Sequence, residues 1–160
     1  MELGVPEMEA VETLADLWVE LATGQLAYGS HLFAAANRDT IRAALMRFIV
    51  ADKLIVAREN DSIIGFVMFD VEDGMYQQDV TRGIVMNIYV EPSFRGQGIG
   101  SELLAAAEEQ LRDAGAETVA LDVMAANTDA IRFYERHGYH SHRVELEKHI
   151  ESDNHSKEKE

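Results

Sequence analysis

The sequence predicts an α/β (α+β) domain, a central sheet flanked by about four helices. Two observations carry this. Segments with apolar residues at helical spacing alternate with short apolar runs that read as strands. A glycine-rich run, Arg95-Gly96-Gln97-Gly98-Ile99-Gly100, stands between one such strand and an amphipathic stretch.

Taken in order, residues 11–22 carry Leu14, Leu17, Trp18 and Leu21 on one helical face. Asp39-Thr40 is placed to cap a second helix over 41–50, with Leu45, Phe48 and Ile49 towards the core. Between them, 24–37 has no clean period and reads as a substrate-side loop or a broken helix. The runs 54–57 and 63–69, joined by the polar Glu59-Asn60-Asp61-Ser62, read as a hairpin. A polar loop over 70–83 precedes a strand at 84–90, which Pro92 ends because it has no N–H to donate. Leu103, Leu104, Ala107 and Leu111 form the apolar face of a third helix, closed by Gly115. A buried strand over 118–124, a helix over 129–136 and a closing strand over 139–149 follow.

A chain of 160 residues with 47% hydrophobic content buries roughly 70% of its unfolded surface, so one domain over 1–150 is expected. Residues 151–160 contain no apolar side chain and read as a disordered acidic tail. No run of apolar residues is long enough for a membrane helix and the N-terminus lacks the pattern of a signal peptide, which points to a cytoplasmic protein. The absence of cysteine excludes disulfides, thiolate metal ligands and a cysteine nucleophile. With 29 acidic residues against 14 basic ones the net charge is -15, a field that repels nucleic acid and anionic membranes. Such acidity fits a salt-loving organism, whose ionic strength screens the self-repulsion; the other reading is a cation-binding surface.

The glycine run makes an anion cradle, because successive N–H groups can point into one small space where no Cβ intrudes. A dinucleotide fingerprint would need glycine three residues after Gly98, where Ser101 stands, and a Walker loop would need a Gly-Lys-Ser/Thr ending that is absent. Further on, Leu121-Asp122-Val123 leads to Asn127, and Phe133-Tyr134 to Gly138-Tyr139. Together with Val90, Pro92 and the glycine run, these motifs span about seventy residues and closely resemble the GCN5-related N-acetyltransferase (GNAT) superfamily.

The resemblance implies a mixed, mostly antiparallel sheet of about six to seven strands and the pyrophosphate of acetyl-coenzyme A (acetyl-CoA) in the cradle. The N–H groups of Gln97, Gly98, Ile99, Gly100 and Ser101 would face that pyrophosphate, with the positive end of a helix behind them and Arg95 adding a cation next to Gly96. The family's strand before the loop splays at a bulge and pairs its backbone with the pantetheine arm, which implicates Ile88 and Val90. Asn127 and Tyr134, seven residues apart, share a helical face. By resemblance, Asn127 bonds the donor's arm and the Tyr134 hydroxyl protonates or stabilises the departing thiolate; for Asn127 a helix cap is the competing role, and for Tyr134 a core ring.

An ammonium has no lone pair, so acetylation needs a base. Asp122 interrupts an apolar strand, where partial desolvation would raise its pKa, and Glu91 and Asp79 are weaker candidates. His140 and His142 share a strand face but no helical spacing fixes further ligands, so no metal is expected. The resulting expectation is one-step acetyl transfer to a primary amine, of a small molecule or a peptide, by direct attack. A non-catalytic acyl-CoA sensor of the same fold is the alternative. A homodimer through edge strands is compatible with either.

Overall fold

Residues 54–57 are buried without interruption, as are residues 64–69. Continuous apolar runs of this kind need cover on both faces, and helices supply it. The computed structural model describes residues 1–151, so the expected tail beyond Glu151 lies outside the described residues. Strands β1 (Glu2–Gly4), β2 (Leu54–Glu59), β3 (Ser62–Val71), β4 (Arg82–Val90) and β5 (Thr118–Ala120) form one sheet in that order. The pairings from β1 to β4 are antiparallel, and β4 pairs with β5 in parallel.

Helices α1 (Val11–Gln25) and α2 (Arg38–Val50) cover one face; α3 (Ile99–Asp113) covers the other, with α4 (Thr128–Arg136) packed beside it. Alternation along the strands divides the core between them. Leu54, Val56, Phe66 and Met68 meet Leu14, Leu17, Trp18 and Leu45, whereas Ile55, Ala57, Val67 and Phe69 meet Leu103, Leu104, Ala107 and Leu111. The helical spacing in the sequence thus becomes two apolar stripes, one on each side of a sheet with period two. Outside the core, Arg38 and Arg42 on α2 bridge Glu12, and Arg38 also bridges Asp16, tying α1 to α2.

Several expectations are corrected. The sheet has five strands among the described residues, not six to seven. The strand expected over 118–124 pairs only as far as Ala120, and 139–149 forms no strand. Val144 and Leu146 do alternate there, but they are 74% and 89% exposed. Alternation specifies an extended chain; it does not supply a partner, and β5 ends after three residues. At α2, the helix starts at Arg38 and Asn37 takes the cap position, its side chain donating instead to Phe33 O at 2.7 Å. Asp39 therefore sits inside the first turn, where its charge complements the helix dipole. The 24–37 segment holds two short 3-10 turns, Leu26–Tyr28 and Ala35–Asn37.

Candidate active site

The site begins with a fault in β4. Met68 pairs with Asn87 and Phe69 with Val85, so Met86 is an extra residue on β4, a β-bulge. Pairing with β5 stops at Ile84 and Ala120, which leaves the rest of that β4 edge open. Glu91 N donates to Ile64 O at 2.8 Å. Antiparallel alternation then directs the backbone groups of Asn87 and Tyr89 towards β3, and those of Ile88 and Val90 towards the open edge. A bulge and a truncated neighbour thereby leave a β4 edge whose main-chain donors and acceptors no strand pairs among the described residues.

That edge leads to the glycine loop. Gly96 and Gly98 adopt φ of 81° and 82°, left-handed values that a side chain would strain, and a Cβ built at either meets nothing within 4 Å. Gly98 caps α3, and the first helical bond runs from Glu102 N to Gly98 O at 3.1 Å. The N–H groups of Ile99, Gly100 and Ser101 therefore have no helical acceptor. Ile99 anchors this turn through a buried side chain, and Gly100 lies against Phe133 of α4. The backbone of the loop is thus what remains to meet an anion.

Arg95 is exposed beside the cradle. Its Nε donates to Val90 O at 2.8 Å and its guanidinium lies 5.3 Å from the centre of the Tyr89 ring. It braces the junction between β4 and the loop, and it occupies one of the Val90 backbone groups. Tyr89 in turn donates to Glu20 Oε2 at 3.1 Å, and burial, followed by that hydrogen bond, raises its pKa. Gln97 is exposed, with its side chain free of partners among the described residues.

Helix α4 closes the site. Asn127 Oδ1 accepts from Ala130 N at 3.2 Å, so the capping role is real, and its Nδ2 is left to donate elsewhere. Tyr134 is half-buried, with ring contacts to Phe133 at 5.2 Å and Tyr139 at 5.9 Å. Burial pushes its pKa up to about 12. Its hydroxyl has no hydrogen-bond partner among the described residues. Neighbouring Tyr139 differs, because it donates to Glu108 Oε2 at 2.5 Å.

Asp122 lies just past β5 and is exposed. The desolvation expected of it is absent, because the strand that would have buried it ends before it. Glu91 is half-buried and Asp79 is exposed in the loop between β3 and β4. No sequence pattern singled out Tyr89, Glu20 or the contact of Ser101 Oγ with His137 Nε2 at 2.9 Å. Tyr89 and Glu20 read as ordinary core and surface residues, since their pairing joins elements 69 positions apart. His137 and Ser101 are nearer in chain but belong to different helices.

A split sheet leading into a backbone anion cradle is the architecture of an acyl-donor transferase. Residues 15–139 match the model of the Acetyltransferase (GNAT) family, and the chain belongs to that family. It is 34% identical over 138 residues to the aminoalkylphosphonate N-acetyltransferase of Salmonella typhimurium, covering 86% of this chain and 84% of that protein. Among solved structures, a GCN5-related N-acetyltransferase from Ralstonia eutropha superposes with a TM-score of 0.73 at 24% identity, over 93% of this chain and 97% of that one. The aminoglycoside N-acetyltransferase AAC(6')-Iy in complex with CoA gives a TM-score of 0.69 at 19% identity, over 92% and 93% of the two chains. The chain is an acetyltransferase, and its class of reaction is acetyl transfer to an amine. No helix among the described residues is long and apolar enough to cross a membrane.

Proposed function

We propose that this acetyltransferase moves the acetyl group of acetyl-CoA to the primary amine of a small acceptor by direct attack within a ternary complex. The observation that carries the reading is the continuity of the opened β4 edge with the unpaired N–H groups at the start of α3. A long donor with a peptide-like arm and a pyrophosphate matches that sequence of groups. Ile88 and Val90 hold the arm by main-chain hydrogen bonds, and the turn from Gln97 to Ser101 holds the phosphates with the helix dipole behind them. Asn127 Nδ2 donates to the arm while its Oδ1 keeps α4 capped. A main-chain N–H on the open edge polarises the thioester carbonyl.

The acceptor nitrogen, once neutral, forms a bond to the thioester carbon, and collapse of the tetrahedral intermediate breaks the C–S bond. Tyr134 meets the departing sulfur. Its hydroxyl, at a pKa of about 12, faces a thiol whose ordinary value is about 8.5, so full proton transfer would be uphill by about 5 kcal/mol. Tyr134 therefore stabilises the thiolate as a hydrogen-bond donor and keeps its proton; the nitrogen sheds its surplus proton to water as the amide forms, and the thiolate takes up a proton from that same water, which gives the amide and the free thiol. Asp122, exposed just past β5, takes the ammonium proton through water, with Glu91 the next candidate.

Likeness to an aminoalkylphosphonate N-acetyltransferase over most of both chains supports a small acceptor over a peptide. The net charge of -15 supports a cytoplasm of high ionic strength, where self-repulsion is screened. Incubation with acetyl-CoA and a panel of alkylamines, amino acids and aminoalkylphosphonates tests the reading. An N-acetylated product seen by mass spectrometry is expected. Binding of acetyl-CoA with no product from any amine would favour the acyl-CoA sensor.

A further inference from the structure

The chain leaves α4 through a turn that folds back on Tyr134. Gly138 N donates to Glu135 O at 3.0 Å and Tyr139 N to Tyr134 O at 3.1 Å, with Gly138 at φ of 89°, a left-handed value that glycine adopts without strain. This pair of bonds is the glycine stop of a helix, and it brings the residue after the glycine against a residue of the last helical turn. Here the two are tyrosines, and their rings meet edge to face at 5.9 Å.

For packing alone a phenylalanine at 139 would serve as well. The Tyr139 hydroxyl instead donates to Glu108 Oε2 on α3 at 2.5 Å, across 31 positions of sequence, and a bond to a charged acceptor is stronger than a neutral one. Both partners are half-buried, and burial, followed by that bond, raises the pKa of Tyr139, so the donor keeps its proton. Tyr134 is the opposite case. Its hydroxyl bonds nothing among the described residues, its ring contacts are with Phe133 and Tyr139, and α4 itself has no buried residue. Phe133 against Gly100, and His137 Nε2 at 2.9 Å from Ser101 Oγ, place α4 on the start of α3. Tyr139 joins the Tyr134 ring itself to a point about two turns further along that helix, at Glu108.

We propose that Tyr139, anchored by Glu108, is a positioning residue for Tyr134: it holds the ring so that the hydroxyl stands where negative charge develops on sulfur. The proposal rests on the acetyltransferase reading and on the thiolate-stabilising role of Tyr134. A hydrogen bond that matters only in the transition state needs a donor already in place, and a displacement of about 1 Å can cost two orders of magnitude in rate. Tyr139 acts through Tyr134 and not on the donor or the acceptor.

The test measures kcat and the KM for acetyl-CoA by thiol release, per CoA-binding site counted by calorimetry, so that unfolded protein drops out. Tyr139→Phe keeps the ring and Glu108→Ala keeps the Tyr139 hydroxyl; each should lower kcat by roughly five-fold or more, and by less than Tyr134→Phe, with KM within about two-fold. Glu108→Gln retains an acceptor oxygen and should keep most of the rate that Glu108→Ala loses. Tyr139→Phe added to Tyr134→Phe should lower kcat no further, because the clamp acts on the hydroxyl already removed; a general weakening of the fold would multiply the two losses. Unchanged kcat in Tyr139→Phe, or losses that multiply, overturns the proposal. Unchanged kcat in Tyr134→Phe removes the role being positioned, and the proposal with it. Should no amine turn over, the acetyltransferase reading fails on its own, and the clamp is judged in protein labelled with 3-fluorotyrosine, where the Tyr134 resonance is the one missing from Tyr134→Phe. Glu108→Ala should shift that resonance towards free 3-fluorotyrosine and Glu108→Gln should leave it near its place; a resonance indifferent to Glu108→Ala overturns the clamp.

Discussion

Removing one oxygen atom from Tyr134 isolates its chemistry from its packing. Tyr134→Phe keeps the ring contacts with Phe133 and Tyr139 and deletes a hydroxyl that has no partner within the described residues, so the melting temperature should hold within about a degree. The hydroxyl matters only when negative charge develops on sulfur. A hydrogen bond to a charged group contributes about 1.5–3 kcal/mol, so its loss should lower kcat by roughly 10- to 150-fold. The apparent affinity for acetyl-CoA should change by less than about three-fold, since the bond forms chiefly in the transition state. The pH dependence separates a hydrogen-bond donor from a proton donor. With a pKa of about 12, Tyr134 stays protonated across the working range, so the ratio of wild-type to Tyr134→Phe rates should be flat up to about pH 10. Steady-state thiol release at saturating amine, repeated from acid to alkaline pH, measures all three quantities. Unchanged kcat would refute the role, and a rate ratio that titrates near neutrality would refute the donor chemistry argued here.

Other outcomes follow from the same geometry. Asn127→Asp retains a capping oxygen and loses the amide donor, so it should keep the stability that Asn127→Ala loses, about 1 kcal/mol by denaturant unfolding, while both raise the KM for acetyl-CoA. Gly98→Ala forces a side chain into φ of 82°, which should cost on the order of 1–3 kcal/mol and weaken CoA binding in calorimetry. Burial holds the pKa of both Tyr134 and Tyr139 above the tyrosine value, so their contribution to stability is complete below pH about 10 and is lost as pH rises through the folded values. Alkaline unfolding followed by tyrosinate absorbance should therefore show both rings ionising together with loss of fold; early ionisation of either ring in the native protein would contradict their burial.

What could be read from the chain beforehand divides by the range of the interaction. The glycine loop was readable because Gly96 and Gly98 answer a local backbone demand, and α3 because Leu103, Leu104, Ala107 and Leu111 repeat at a local period. Asn127 was readable both as cap and as candidate ligand contact, and the cap is visible in its bond to Ala130. The bulge at Met86 has no local marker, since an extra residue shows only against the register of β3. The burial expected of Asp122 failed for a related reason. An apolar run around a carboxylate predicts burial only if the strand continues, and β5 stops at Ala120. The 139–149 segment shows the same limit, with its alternation present and its neighbour absent. Arg95 was readable as a cation beside the glycines, but its bond to Val90 O and its place over the Tyr89 ring had no local marker.

The central claim is that the donor lies along the opened edge of β4 with its pyrophosphate on the first turn of α3. Backbone amide spectra of isotope-labelled protein titrated with CoA test it residue by residue. The amides of Ile88, Val90 and residues 97–101 should shift most and saturate together, with the Asn127 side-chain amide shifting in parallel. Shifts concentrated away from these residues, or CoA binding that leaves residues 97–101 unperturbed, would contradict the account.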